Sequence, residues 1–179
     1  MSGYCDISLG HEWHGPYHDT EYGYPVRDEA FLFERLILEI NQAGLSWLTI
    51  LKKREGFTAA YEGFEVDRVA DYGPKDRERL LNDAGIIRNR LKVDATISNA
   101  NRIREMRDSH GGFAAWLDAH HSLTKEEWVK LFKKTFRFTG GEITHSFLMG
   151  AGYLPGAHGE DCPIYKRIAK LDPPWMAAS

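Results

Sequence analysis

Long hydrophobic runs are missing from this 179-residue chain: the uncharged, largely apolar stretch Ile40 to Leu51 is well short of the roughly 18 apolar residues that a membrane-spanning helix needs. Its first residues, Met1-Ser2-Gly3-Tyr4, lack the basic-then-apolar order of a secretory signal, so a cytoplasmic location without membrane contact is expected. Cysteine is scarce as well. The two present, Cys5 and Cys162, stand near opposite ends, and in a reducing compartment metal binding suits them better than a structural disulfide. Nor is there a strong charge of either sign. The 23 basic and 26 acidic side chains leave a net −3, which offers a polyanion no global attraction and assigns any such partner to local patches. Strand-type alternation is hardly found, and no repeat, low-complexity run or linker interrupts the chain. What remains is one domain's worth of residues, 42% hydrophobic, enough for a single core over 1–179.

Helical spacing recurs in place of alternation. Phe33, Leu36, Ile37 and Ile40 form a stripe, with Asp28 as its N-cap and Gly44 as its stop. Ser46 caps a second helix expected to run through Lys53, with Gly56 following. Shorter helices are expected after Thr58 and Asp67, and Gly73-Pro74 breaks the chain before a charged helix ending near Asn82. From Arg88 to about Arg107 a longer helix places Leu91, Ala95, Ser98 and Arg102 on one face and ends at Gly111-Gly112. Thr124 to Glu127 is a capping box, opening a helix with Trp128, Leu131 and Phe132 on one side and basic residues on the other. Gly140-Gly141 precedes a helical stretch from Ile143 to Met149, and the tail beyond Pro155 is helical only over Pro163 to Leu171.

Two constellations carry chemistry. Cys5 and His18 near the start, with His158 and Cys162 near the end, make a complete Cys2His2 set that would staple the two ends around one zinc. Four ligands fill a tetrahedral zinc, so the site would be structural and catalysis would lie elsewhere; a zinc hydrolase is disfavoured further by the lack of a His-Glu-x-x-His motif. On spacing alone His11, His14, His120 and His121 compete as ligands, and the coincidence of two cysteines with histidines is an equal alternative. The second constellation is Leu80 to Arg88, where Gly85 joins two helices in the manner of a helix-hairpin-helix over about 76–107. There a glycine permits a tight turn, and the amides at the start of the following helix favour a phosphate. A plain helical corner with a solvated basic face is the alternative. Arg88, Arg90 and Lys92 flank the hairpin, and further basic clusters at Lys52-Lys53-Arg54 and at Lys130, Lys133, Lys134 and Arg137 suggest one polyanion-facing surface.

The strings Tyr17-His18-Asp19-Thr20-Glu21-Tyr22-Gly23-Tyr24-Pro25, Gln42-Ala43-Gly44-Leu45-Ser46-Trp47, Leu51-Lys52-Lys53-Arg54-Glu55 and Asp83-Ala84-Gly85-Ile86-Ile87-Arg88 closely resemble the 3-methyladenine DNA glycosylase I family. The likeness continues through Phe136-Arg137-Phe138-Thr139-Gly140 and Ser146-Phe147-Leu148-Met149, and Cys5, His18, His158 and Cys162 look like the family's zinc clasp in order and spacing.

The resemblance implies an all-α helix-hairpin-helix glycosylase fold. The implied activity is a monofunctional enzyme that flips 3-methyladenine out of duplex DNA and hydrolyses its N-glycosidic bond, leaving an abasic site. It also assigns roles. Glu39 and Tyr17 would be catalytic, Glu39 by reading the base edge, whereas from the residues alone Glu39 reads equally as a buried carboxylate paired with Arg35. Trp47, Tyr22 and His145 would meet the base. Gln42, Gly44 and Leu45 would fill the gap that the base leaves, and Gly85, Ile86, Ile87 and Arg88 would hold the phosphates. Tyr22, Ile7, His145 and Gly150 depart from the family's usual tryptophan, aromatic, tyrosine and glutamine, positions that line or support its pocket. An altered range of bases, including bulkier N3- or N7-alkylpurines, is therefore an alternative, as is a lesion-binding module without turnover. A monomer is expected.

Overall fold

The computed structural model describes residues 3–177; Met1 and Ser2, part of the N-terminal stretch read above, lie outside the described residues. Two short helices come first, α1 (Tyr4–Ser8) and α2 (His14–Thr20). The Asp28 carboxylate then accepts the Phe31 amide at 2.8 Å and starts α3 (Glu29–Gln42) where the sequence places it. The stripe Phe33, Leu36, Ile37 and Ile40 is wholly buried, so α3 runs through the middle of the core. Ser46 caps α4 (Trp47–Ala60) by accepting the Thr49 amide at 3.1 Å. That helix continues past Lys53, and Gly56 does not end it. Gly56 lies inside α4 because the helix touches the later hairpin there: a Cβ would overlap the Gly85 carbonyl oxygen. Thr58 is therefore within α4, and after a 3-10 turn at Glu62–Phe64 the next helix, α5 (Val66–Ala70), already includes Asp67.

Gly73-Pro74 does break the chain, and α6 (Pro74–Leu81) follows, with the Asp76 carboxylate accepting the Gly73 amide at 3.2 Å. The long α7 (Arg90–His110) starts two residues after Arg88, with Asn89 accepting the Lys92 amide at 3.1 Å. Its buried face is Val93, Thr96, Asn99, Ala100, Ile103 and Met106. Of the face expected from sequence only Ala95 is buried, and Leu91 is 67% exposed. The true face was hidden because two polar residues interrupt it and satisfy themselves internally. Thr96 donates to the Lys92 carbonyl, and Asn99 exchanges hydrogen bonds with both backbone groups of Arg137.

Next come α8 (Phe113–His120), α9 (Lys125–Thr135) behind its expected capping box, α10 (Gly141–Gly150) and α11 (Pro163–Ala169). Among the described residues there are helices and turns but no strands, and no helix is long and apolar enough to cross a membrane. Aromatic rings fill the space between α8, α9 and α10, with Phe113 stacked on Phe147 at 5.7 Å and Trp128 fully buried. Helix α10 crosses α3, and its last carbonyl, Gly150, accepts the Gly23 amide at 2.9 Å. That bond draws the segment after α2 against the junction of α3 and α10, where an aromatic pocket opens.

Candidate active site

Five helices and the segment after α2 supply this pocket. Tyr4 comes from α1, Tyr17 from α2, Glu39 and Gln42 from α3, Trp47 from the first turn of α4, and Ser146 from α10, with Tyr22 between α2 and α3. Its volume is about 200 Å³, below the roughly 300 Å³ at which drug-sized sites begin and suited to one heterocycle. The walls are aromatic. Tyr17 lies 5.3 Å from Trp47 and 5.7 Å from Tyr22 between ring centroids, and Tyr4 meets Tyr22 edge-on at 5.2 Å. Burial pushes the phenols of Tyr4, Tyr17 and Tyr22 up, so all three stay protonated. The Tyr4 hydroxyl meets His14 Nδ1 at 2.8 Å, and the Trp47 indole N–H approaches that hydroxyl without a well-aligned bond.

Glu39 is the one carboxylate in the lining. Burial raises its pKa to about 7, against the opposing pull of the Arg35 guanidinium one turn earlier on α3. Arg35 is itself buried, but its hydrogen bond runs from Nη2 to the Tyr17 hydroxyl and not to Glu39. The pairing of Glu39 with Arg35 that the sequence allowed is thus a through-space charge interaction, not a direct hydrogen-bonded ion pair.

The structure brings Glu39, Tyr17, Trp47, Tyr22 and Gln42 together as the sequence predicts. His145 is placed differently: α10 presents the neighbouring Ser146 to the pocket, and His145 is half-buried outside its lining. Ile7 is 58% exposed and does not line the pocket, whereas Gly150 is buried beside Arg35 and Tyr22. Tyr4 escaped the sequence reading because nothing in a five-residue helix marks its inward side; its place next to Cys5 was the available signal.

The four clasp residues converge. Cys5, His18, His158 and Cys162 are all buried, and their ligand atoms lie within 4.8 Å of one another. Sulfur-to-nitrogen separations are 3.6 to 3.8 Å, and His158 Nδ1 stands 3.1 Å from His18 Nε2. A tetrahedral zinc with bonds of about 2.3 Å to sulfur and about 2.0 Å to nitrogen requires ligand atoms roughly 3.3 to 3.8 Å apart. Each imidazole also uses its other nitrogen: His18 Nδ1 meets the Asp19 carboxylate at 2.7 Å, and His158 Nε2 meets the Tyr22 carbonyl at 2.6 Å. Those partners fix both rings with their remaining nitrogens turned inward, the arrangement that metal-binding histidines need. The competing histidines are engaged elsewhere or apart from this cluster.

On one side of the pocket, the loop after α3 is held tightly. Gln42 donates from Nε2 to the Leu45 carbonyl at 2.8 Å and accepts the Leu45 amide at 2.7 Å, and Lys92 reaches the carbonyls of Asn41 and Ala43, both at 2.8 Å. Gly44 takes φ +80°, which an L side chain rarely adopts. Leu45 projects from this corner, 38% exposed. The hairpin between α6 and α7 is built otherwise than expected. Gly85 does not have a positive φ; it is small because Gly56 of α4 passes against it and Asp83 Oδ1 accepts its amide at 2.7 Å. Lys53 also ties α4 to this turn through the Ala84 carbonyl at 3.0 Å. Ile86 is buried and Arg88 exposed. Arg54 leaves the basic surface: it is bound between Glu21 and Glu34.

The sequence model of the methyladenine glycosylase family matches residues 10–130. This chain belongs to the methyladenine glycosylase family. It is 37% identical to DNA-3-methyladenine glycosylase 1 of Escherichia coli (strain K12), over 83% of this chain and 89% of that protein. A crystal structure of 3-methyladenine DNA glycosylase I superimposes with a TM-score of 0.79 at 35% identity, covering 89% of this chain and 97% of the other. So does a tyrosine-to-phenylalanine variant of 3-methyladenine DNA glycosylase I in complex with 3-methyladenine, with a TM-score of 0.79 at 32% identity over 88% and 95% of the two chains. The segment that matches the methyladenine glycosylases holds Tyr17, His18, Glu39, Trp47 and the hairpin, while Ser146, His158 and Cys162 lie beyond it.

Proposed function

We propose that the protein is a monofunctional DNA glycosylase that flips 3-methyladenine from duplex DNA and hydrolyses its N-glycosidic bond, leaving an abasic site. The observation that carries this reading is a buried carboxylate, Glu39, in an aromatic pocket sized for a single base. Family membership and the resemblance to a structure complexed with 3-methyladenine support it. An N3-alkylated adenine in DNA is cationic, so it stacks on electron-rich rings and is attracted by a carboxylate. Water adds to C1′, the electron pair of the C1′–N9 bond goes to the base, and the base leaves neutral while water gives up a proton. Because the leaving group already carries the positive charge, Glu39 and Tyr17 need only hold its edge, and Tyr22 and Trp47 its faces.

The remaining assignments follow from the same reading. Leu45, on the corner fixed by Gln42 and Gly44, enters the gap in the duplex, and Gly85 to Arg88 sit on the phosphates. Cys5, His18, His158 and Cys162 hold one zinc, which supplies no chemistry to the reaction and locks α1 and α2 against the segment before α11; the geometry of the donor set supports this. In this reading the protein is a cytoplasmic monomer acting on DNA. The test is direct. Duplex DNA treated with a methylating agent is incubated with the protein and the released bases are separated by chromatography. Release of 3-methyladenine is expected; binding to such DNA with no base released would leave a lesion-binding module in its place.

A further inference from the structure

Arg35 is 2% exposed, and among the described residues neither Nε nor Nη1 has a hydrogen-bond partner. Its Nη2 donates to the Tyr17 hydroxyl, and its guanidinium carbon lies 4.8 Å from the centroid of the Tyr17 ring. Room for it comes from position 150, where a Cβ would stand 2.5 Å from Nη2. A guanidinium keeps its charge under all conditions of interest, and a buried one with two unmatched donors is unfavourable where an aliphatic side chain would fill the same space. Packing therefore does not account for an arginine here. Its charge and its one hydrogen bond do.

We propose that Arg35 is a positioning residue for base recognition, turning the Tyr17 hydroxyl proton into the pocket and placing a positive charge one helical turn from Glu39. This rests on the base-excision reading above. A phenol has one proton. Since the Tyr17 oxygen accepts from Arg35, that proton is free to be donated, and the pocket lies before it. Glu39 as an anion only accepts. A bound base must then present an acceptor to Tyr17 and a donor to Glu39, side by side. The N7 and N6 amino group of adenine form such a pair, whereas guanine shows two acceptors, N7 and O6, on the same edge. Selection of adenine-type over guanine-type alkylpurines would thus depend on Arg35, a residue that does not itself line the pocket.

The electrostatic part is equally specific. Around Glu39 the other titratable groups are the phenols of Tyr4, Tyr17 and Tyr22, which stay protonated, and Trp47, Gln42 and Ser146 carry no charge. Arg35 alone offsets the burial of the carboxylate. Without it Glu39 ionises at higher pH, and a neutral Glu39 no longer attracts a cationic base.

The experiment compares the parental protein with R35M, R35K and G150A. The Glu39 carboxyl is titrated by carbon-13 NMR, with E39Q for assignment, and excision from methylated duplex is followed as a function of pH. In R35M the Glu39 titration and the acid limb of kcat should both move to higher pH by about one unit or more, lowering excision near neutrality about tenfold with less change in KM. R35K, which keeps the charge, should restore the limb but excise 3-methylguanine relatively better than the parental protein does. That difference should vanish when both carry Y17F. G150A, which keeps the charge but crowds Nη2 away from the Tyr17 hydroxyl, should behave like R35K in both limb and base preference, and it decides the hydrogen-bond half of the proposal if R35M fails to fold. R35M is expected to melt no lower than the parental protein. Superimposable Glu39 titrations and pH profiles in parental protein and R35M would overturn the proposal while leaving base excision intact. Failure of the parental protein to release 3-methyladenine would sink the base-excision reading instead, and the NMR titration would still decide whether Arg35 controls Glu39.

Discussion

The clasp and the base pocket stand side by side, share the segment around Tyr22, and treat buried polar groups in opposite ways. In the clasp each imidazole nitrogen has a partner: one faces the ligand cluster and the other meets Asp19 or the Tyr22 carbonyl. In the pocket Arg35 keeps two unmatched donors, the Trp47 indole lacks an aligned acceptor, and Glu39 is buried far enough to resist ionisation. A region whose polar groups are all satisfied contributes to holding the fold together. One whose polar groups are left over has been shaped for something that arrives later, and loses stability until it does. The two regions should therefore respond oppositely to substitution: clasp changes should cost stability, and pocket changes should cost activity while sparing or raising stability.

The largest effect is expected in the clasp. Cys162→Ala should lower the zinc content from about one per chain to none and leave three donors without a ligand to share. At about 2 to 4 °C per kcal/mol for a domain of this size, loss of several kcal/mol should lower Tm by about 10 °C or more. Metal analysis and calorimetry check both. Unchanged metal content in this variant would show that the cluster is only a buried contact between α2 and the segment before α11.

Glu39→Gln probes the other half. Excision of 3-methyladenine should fall by roughly one to three orders of magnitude, equivalent to about 1.4 to 4 kcal/mol at the transition state. Stability should change in the opposite sense. Glu39 ionises at about 7 in the fold against an ordinary value of 4.5, so the folded state holds its proton more tightly than the unfolded one. The parental protein therefore loses stability as pH rises from about 4.5, levelling off above about 7 at a cost of about 3 kcal/mol, taking about 1.4 kcal/mol per unit. Glu39→Gln escapes that cost, so it should be the more stable protein at alkaline pH and equal to the parent in acid. Urea titrations at several pH values measure this. A variant less stable than its parent at alkaline pH would mean that Glu39 is a satisfied structural group.

How much of this contrast was visible in the sequence depends on the kind of residue involved. Helix starts at Asp28, Ser46 and Thr124 were legible because a cap is a local hydrogen bond between neighbours. The clasp was legible in part: two cysteines at opposite ends suggested a metal, but which of the eight histidines joined them came from resemblance to a family. Glu39 was conspicuous as a charge in an apolar stripe, and its role, like that of Trp47, came from resemblance to a family. Arg35 was legible only as a potential counter-ion. That its hydrogen bond goes to Tyr17 depends on where α2 lands and on the absence of a side chain at Gly150, and neither is a local property. The roles of Gly56 and Gly85 were misread for the same reason. A glycine in sequence suggests a turn or a helix end, but these two are close approaches between α4 and the hairpin, which only tertiary structure reveals.

Those glycines supply the next test, in a region that belongs to neither extreme. Gly56→Ala introduces a Cβ that overlaps the Gly85 carbonyl, so α4 and the hairpin must separate. A loss of about 1 to 3 kcal/mol is expected, the usual range for overpacking, with zinc content unchanged. If the hairpin holds DNA by its phosphates, affinity for abasic-site duplex should fall alike for all sequences, and parental affinity should drop steeply with salt. Salt-independent binding, or a loss confined to particular sequences, would place the phosphate contacts elsewhere.

The smallest effect on stability is expected at Leu45, and there the contrast is sharpest. Its loop is as firmly satisfied as the clasp, through Gln42, the Lys92 ammonium and the backbone at Gly44, yet the side chain at its apex is left exposed and outside the buried core. Leu45→Ala should leave stability within about 0.5 kcal/mol of the parent, as for other exposed positions. Its cost appears only when a base pair is opened. A wedge that fills the vacated stack offsets part of the unstacking energy, so excision from duplex should slow about tenfold, the equivalent of about 1.4 kcal/mol. On single-stranded DNA, where no stack has to be opened, the two proteins should excise at the same rate. An equal loss on both substrates would mean that Leu45 shapes the pocket instead, and that the loop held by Lys92 belongs to base recognition and not to flipping.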